Sequence, residues 1–168
     1  MDFYAYYPFS ADALDPQDLR MAVEAEQNSK AGYLHSDWLR AANTEGLSKG
    51  TVCLRFDHMF AALDVCFDKG DVKVNGSKAS VVLSNVVTEV SLDLGKGTMT
   101  PKKTGSVVFY PQDRESMHYQ GIVPPQEIAD GQSTIMLDNV SSAFIFQVPQ
   151  VQLRRATIQR FSLSLMHE

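Results

Sequence analysis

The chain has 168 residues, 44% hydrophobic and 21% charged, with 20 acidic side chains against 15 basic ones for a net charge of −5. These values fit one globular domain with a real core and give no sign of disorder or of a membrane protein. The acidic balance, with basic residues only in pairs such as Lys102-Lys103 and Arg154-Arg155, argues against a nucleic-acid surface, which needs clustered Lys and Arg to neutralise phosphates.

Taken in order, Phe3-Tyr4-Ala5-Tyr6-Tyr7 reads as a short aromatic strand stopped by Pro8. A strand so near the start, with no partner before it, points to a missing upstream element. MDFYAYYPFS has neither the positive n-region nor the apolar h-region of a secretory signal, and no later run reaches the roughly 20 apolar residues of a membrane helix. Read alone, the start leaves location open. Ser10 to Gln17 is polar, with a turn at Asp15-Pro16. Leu19 to Glu26 has no decisive period and fits strand or helix alike. Gln27 to Gly32 reads as loop. Tyr33 to Ala42 holds the one tryptophan, Trp38, and Ser36 or Asp37 is placed to cap a helical turn there. The segment on to Gly50, rich in Asn, Gly and Ser, reads as loop.

Thr51 to Asp68, TVCLRFDHMFAALDVCFD, carries the clearest pattern. Val52, Leu54 and Phe56 alternate inward against Cys53, Arg55 and Asp57. After His58-Met59-Phe60-Ala61, Leu63, Val65 and Phe67 face in against Asp64, Cys66 and Asp68, a period that marks strands with one buried face. Two readings stay open. A hairpin closed at His58 to Ala61 sets Cys53 opposite Cys66 and brings a disulfide within reach. One long strand kinked at His58 keeps the two sulfurs apart.

Beyond it the chain reads as strands and turns. Val72-Lys73-Val74 and Ala79 to Leu83 form a hairpin pattern through Asn75-Gly76. Thr88 to Leu94 alternates with Val90, Leu92 and Leu94 inward, and Gly95-Lys96-Gly97 is a turn before a short piece at Thr98 to Thr100. Ser106 to Tyr110 is a strand ended by Pro111, and Gln112 to Gln120 reads as a surface loop. Pro124-Pro125 confines Gly121-Ile122-Val123 to an edge or a strand end. Thr134 to Asp138, Ser142 to Val148 and Thr157 to Leu165 complete the set. Phe144, Phe146 and Val148 share a face, as do Phe161, Leu163 and Leu165. Ile158 is out of phase, which predicts a bulge near Gln159. Regularly spaced short strands with little helix predict an all-β chain. The large inward residues and the lack of a barrel-closing glycine pattern favour an antiparallel β-sandwich.

The residues offer little chemistry. His35, His58, His118 and His167 show no HxxxH or HxH spacing, and His58 reads as structural, its ring hydrogen-bonded across a bend. Cys53 and Cys66 have no CxxC neighbour, and GxSxG, P-loop and GxGxxG patterns do not occur. Asp113-Arg114-Glu115 reads as a solvated loop. Asn75-Gly76-Ser77 and Asn139-Val140-Ser141 match the glycosylation triplet, a pattern common by chance. Tyr4, Tyr6 and Tyr7 fit a sugar-stacking platform or, more simply, a strand with a half-buried face. The expectation is a protein that is not an enzyme, with no catalytic, cofactor-binding or metal-binding residue.

Several stretches then follow one another in a distinctive order: FYAYYPFSAD at Phe3 to Asp12, SDWLRA at Ser36 to Ala41, VCLRFDHMFAALDVCF at Val52 to Phe67, and IVPPQEIADG at Ile122 to Gly131. Together they resemble the fimbrillin family of Bacteroidetes, surface lipoproteins that build fimbriae. Phe56, His58 and Ala61 match the family's core strand, and Val123-Pro124-Pro125-Gln126 matches its V-P-Q element with one extra proline. The resemblance implies a sandwich of the transthyretin or immunoglobulin kind, and a single first-domain-type unit over 1–168. Relative to the family the unit lacks early strands, the lipobox anchor and the usual second domain. It implies a structural or adhesive fimbrial subunit at the cell surface, whose partners are other fimbrial subunits joined by β-strand addition. The alternative is a monomeric surface module that binds a glycan or a host protein.

Overall fold

The computed structural model describes residues 1–46, 48–140 and 142–165. The strands of the first half are β1 (Phe3–Tyr7), β2 (Leu19–Ala22), β3 (Leu39–Asn43), β4 (Phe56–His58), β5 (Ala61–Asp68) and β6 (Ser80–Leu92), with one short helix, α1 (Lys30–His35), after β2. Those of the second half are β7 (Met99–Val108), β8 (Tyr110–Asp113), β9 (His118–Val123), β10 (Gln126–Ile128), β11 (Thr134–Asp138), β12 (Ala143–Gln147), β13 (Val151–Leu153) and β14 (Ile158–Ser164).

Two larger sheets dominate. One runs β12-β11-β6-β2, with β7 on the other side of β6; the second runs β14-β5-β9-β8. Their apolar rows meet in a single core. Leu63, Val65 and Phe67 of β5 and Tyr119 of β9 join Val81, Leu83, Val86 and Leu92 of β6 and Ile135 and Leu137 of β11. Phe67 touches both layers, packing edge-on to Tyr119 and 5.9 Å from the Phe146 ring on β12. A smaller sheet, β1-β3-β4, and the β10-β13 pair complete the architecture, an all-β sandwich as the strand spacing predicts.

The central stretch is neither a hairpin nor one kinked strand. β4 pairs with β3, whereas β5 pairs with β9 and β14. At Met59, whose N–H donates to the Trp38 carbonyl at 2.8 Å, the chain leaves the small sheet and enters the large one. Val52 to Arg55 is not a strand, and Leu54 and Phe56 are exposed. Cys53 and Cys66 are free, exposed thiols in separate parts of the fold.

Other differences have equally local causes. β6 is one strand of 13 residues, bent by an irregularity between Leu83 and Val86 where Asn85 has φ +60°. β11 and β7 occupy both of its sides at Val82, so Val72 to Val74 has no place beside it and stays a loop. Met99 to Val108 is continuous through Pro101 because β7 is an edge strand and Pro101 needs no donor on its outer side. The stretch read as loop from Gln112 to Gln120 contains the end of β8 and the start of β9, an antiparallel pair. Helix α1 is capped by Ser29, which accepts from the Gly32 N–H at 3.1 Å; Ser36 ends the helix instead of starting one. β14 lies parallel to β5 in unbroken register from Ile158↔Ala62 to Ser164↔Asp68. No bulge forms at Gln159 and Ile158 simply faces solvent. Among the named strands every other pair is antiparallel, and a single parallel bridge joins Glu26 to Val108.

Two glutamine side chains stand in for strands. β8 pairs with β9 only as far as Tyr110↔Gln120. Two residues on, fully buried Gln27 donates from Nε2 to the Ile122 carbonyl and accepts the Ile122 N–H at Oε1, both at 2.8 Å. Along β6, β11 stops opposite Ser84 and β2 begins opposite Glu89. Gln126 fills that gap, accepting the Val87 N–H at 2.8 Å and donating to the Val87 carbonyl at 3.0 Å.

Three outcomes follow from this architecture. Gln27→Leu leaves the Ile122 amide and carbonyl buried without partners and lowers stability by about 2 kcal/mol or more in denaturant melts. Gly121→Ala sets a methyl 2.4 Å from the Phe109 ring and costs about 1–3 kcal/mol by overpacking. A thiol assay under non-reducing conditions finds both cysteines free. Burial, then the Asp64 carboxylate, pushes the Cys66 thiol up from its ordinary range, so at neutral pH it alkylates more slowly than free cysteine.

Candidate functional site

The exposed edges of the sheets differ in how they are protected. β7 carries Pro101 followed by Lys102 and Lys103, and β8 carries Pro111. Proline removes a donor and lysine resists desolvation, both devices that blunt an edge. β14, IQRFSLS, has neither proline nor lysine. Among the described residues it pairs with β5 alone. Phe161 and Leu163 lean onto the core while Ile158 is exposed. The pair is closed at its ends by the Ala62 N–H on the Thr157 carbonyl and the Leu165 N–H on the Asp68 carbonyl, each at 2.9 Å.

The outward face of the same sheet is polar and joined across strands. Asp64 is 8% exposed; its Oδ1 is paired with Nε2 of His118, and its Oδ2 lies 3.4 Å from Nε of Arg160. Cys66 stands directly across from His118 in the register. Gln120, opposite Asp64, accepts at Oε1 from the Tyr33 hydroxyl at 3.1 Å and from Gln112 Nε2 at 2.7 Å. The Tyr33 ring stacks on Tyr110 at 5.4 Å, so α1 is pinned onto the sheet. Burial, reinforced by Asp37 and Asp64, pushes the Tyr33 phenol up and keeps it a hydrogen-bond donor.

Where α1 meets the sheet there is a cavity of about 250 Å³, lined by Tyr33, Asp37, His58, Phe60, Ile122 and Ile158 among others. His58 Nδ1 lies 2.7 Å from Asp37 Oδ1. The sequence makes His58 a hydrogen-bonded structural residue, and the bond exists, reaching back to the end of α1. It also joins a histidine to a carboxylate within a cavity. Such a dyad can hold a polar ligand or orient a hydroxyl, and Thr157 lies at the same wall.

The remaining candidates separate. Tyr4 and Tyr7 are exposed, while Tyr6 packs against the core. Alternation along β1 puts Tyr4 and Tyr7 on opposite faces, so the three do not form one platform. Asn139 is buried and accepts the Asn75 N–H at 2.8 Å, which makes it a tie for the 72–78 loop; Ser141 of its triplet lies outside the described residues, as does His167. Asp113 accepts the N–H groups of Ser116 and Glu115, and these bonds, Ser116 first, hold its carboxyl below the ordinary range. Arg114 donates to the carbonyls of Gly76 and Ala79 at 3.1 Å each, so the segment read as solvated is a fastening. The grouping of Asp64, Cys66, His118 and Arg160 was not visible in spacing. The one signal for it was the outward alternation of Asp64 and Cys66, because only strand register brings the other two alongside.

The sequence model of the fimbrillin-like family matches residues 1–166. Among solved structures, the chain is similar to a candidate cell adhesion protein from Bacteroides ovatus ATCC 8483, at a TM-score of 0.76 and 15% identity over 97% of this chain and 62% of that one. It is also similar to a candidate cell adhesion protein from Bacteroides uniformis ATCC 8492, at a TM-score of 0.69 and 19% identity over 98% of this chain and 68% of that one. A fimbrial protein from Bacteroides ovatus ATCC 8483 aligns at a TM-score of 0.55 and 14% identity, over 96% of this chain and 34% of that one. The chain thus spans about two-thirds of the length of the first two and about a third of the last. No curated protein matches it in sequence. At these identities the structural likeness speaks to the fold, and the family match extends over the same two-sheet architecture from its first strand to its last. The chain belongs to the fimbrillin-like family.

Proposed function

We propose that the chain is a structural and adhesive subunit of a bacterial surface fimbria, joined to neighbouring subunits by exchange of a strand at β5, and that it does not act as an enzyme. The observation that carries this reading is the parallel seating of β14 on β5. A strand held by one backbone ladder and one apolar row, Phe161 and Leu163, makes contacts that the same sequence from a second copy reproduces. That is the physics of β-strand addition: main-chain bonds give affinity and alternate side chains give register. The fimbrial and adhesion proteins that share this fold support a surface role. Because the chain spans only part of their length, any further domain or anchor of the complete subunit is part of the proposal.

A second reading is a monomeric surface module for a glycan or host protein. The cavity beside Tyr33, Asp37 and His58 favours it, since a few convergent polar groups in a concave site are what a small polar ligand needs.

The deciding measurement is the mass of the purified chain in solution at rising concentration, with and without peptides matching its own strands. Strand exchange predicts concentration-dependent oligomers or tight uptake of a β14 peptide. Leu163→Ala, which loosens the internal strand, should raise that uptake about tenfold, the equivalent of about 1.4 kcal/mol. A monomer that ignores every peptide, in wild type and variant alike, rules out strand exchange and turns attention to glycan binding at the His58 cavity.

A further inference from the structure

The polar face of the β14-β5-β9-β8 sheet brings together three side chains whose donor atoms differ in kind. Asp64 and Cys66 lie two apart on β5 and project to the same face, and His118 on β9 is the register partner of Cys66. A carboxylate oxygen, a thiol sulfur and an imidazole nitrogen from these residues lie within 4.8 Å of one another. We propose that Asp64, Cys66 and His118 form a zinc-binding site with an outward-facing fourth position.

The geometry suits that ion. With Zn–N and Zn–O near 2.0–2.1 Å and Zn–S near 2.3 Å, tetrahedral donors sit about 3.3–3.7 Å apart. Reaching that spacing draws the Cys66 sulfur in by up to about 1 Å and parts the directly bonded Asp64 and His118 to admit the ion. Both movements are within the reach of side-chain rotation at Cys66, which is exposed, and at His118, which is partly so. The backbones need not move, because the β5–β9 ladder fixes them in register from Ala61↔Val123 to Cys66↔His118. Sulfur and imidazole nitrogen select a borderline-soft ion over calcium or magnesium, which take oxygen shells.

The charges also fit. Asp64 as carboxylate and Cys66 as thiolate offset the two charges of the ion, with His118 bound as neutral imidazole. Zinc takes Cys66 as the thiolate, so binding releases the thiol proton. Arg160 reaches Oδ2 of Asp64 from β14. It holds the buried carboxylate in place and leaves Oδ1 directed at His118, the kind of outer contact that orients a metal ligand. Asp113, the register partner of His118 on the β8 side, adds negative charge nearby. Three protein ligands leave one coordination position on the solvent side, open to water or to a carboxylate or imidazole from another molecule. None of this rests on strand exchange.

The test uses the chain purified without a histidine tag and stripped with a chelator. Zinc is titrated in competition with a chromogenic chelator, and cobalt(II) serves as a spectroscopic probe. One zinc per chain is expected, with a rise in melting temperature, and cobalt should give a thiolate-to-metal charge-transfer absorption. Cys66→Ser should abolish that absorption, and His118→Gln should weaken zinc binding at least about tenfold. Cys53→Ser should change neither. Cys66 is exposed, so the metal-free melting curve of Cys66→Ser should match the wild type and certify the fold, and Cys66→Ala serves if Cys66→Ser does not. His118→Gln keeps a hydrogen-bonding group beside Asp64, and its metal-free circular dichroism spectrum certifies its fold. Failure to bind zinc stoichiometrically overturns the proposal. So does an affinity and cobalt spectrum that Cys66→Ser and His118→Gln leave unchanged.

Discussion

The sandwich depends on a demand that every buried backbone N–H and C=O be satisfied, including where strands stop short or bend. β6 is longer than any strand beside it, and β9 runs on past the end of β8. Each leaves a residue in the interior facing no neighbour. Gln27 and Gln126 resolve this by presenting a side-chain amide, a donor and an acceptor at the spacing of a peptide group, to Ile122 and Val87. A buried amide that makes every bond open to it is nearly cost-free, whereas one that makes half of them is a liability. These two positions therefore fix how the sheets end and how the loops after β2 and β9 cross the core.

The polar network on the second sheet solves a different problem. One face of β5 must be apolar to meet β6, so its charged residues collect on the other face, under α1. Asp64 there is almost wholly buried. A carboxylate in that position is tolerable only with opposite charge and hydrogen bonds around it. Arg160 supplies the charge and His118 a hydrogen-bonding partner from the strands on either side, and Tyr33, bonded to Gln120, closes the same face. The His58–Asp37 pair extends the pattern to the small sheet. The cavity lies where these two polar regions approach without fully meeting.

Much of this was legible in the residues. The inward row of Leu63, Val65 and Phe67 is buried as its alternation requires, and the shared faces of Phe144 with Phe146 and of Phe161 with Leu163 hold. The fimbrillin resemblance, built on motif order, agrees with the family match. What alternation cannot convey is pairing. Phe56 and Leu63 sit in the same kind of pattern, yet one is exposed on the small sheet and the other fully buried, because partner choice is set by residues distant in sequence. Asn75-Gly76 makes a turn as such a dipeptide should, with the Lys78 N–H on the Asn75 carbonyl at 3.0 Å. It fails as a hairpin because both sides of β6 are already taken. The polar cluster was hidden for the same reason: Asp64, His118 and Arg160 meet only once three strands are laid side by side.

The placement of β14 also has a meaning in time. Parallel neighbours cannot be joined by a tight turn, and here β6 to β13 all lie in sequence between β5 and β14. Local pairs such as β11–β12 and β8–β9 close short loops and can form early, while the β5–β14 ladder must wait for the rest of the chain to arrive. Until then β5 presents a row of open backbone groups above an incompletely covered core. A newly made chain therefore passes through an interval of stickiness whose length is set by synthesis and folding speed. Any factor that shields that edge while the chain folds acts on a transient form of the molecule, before the finished sandwich exists.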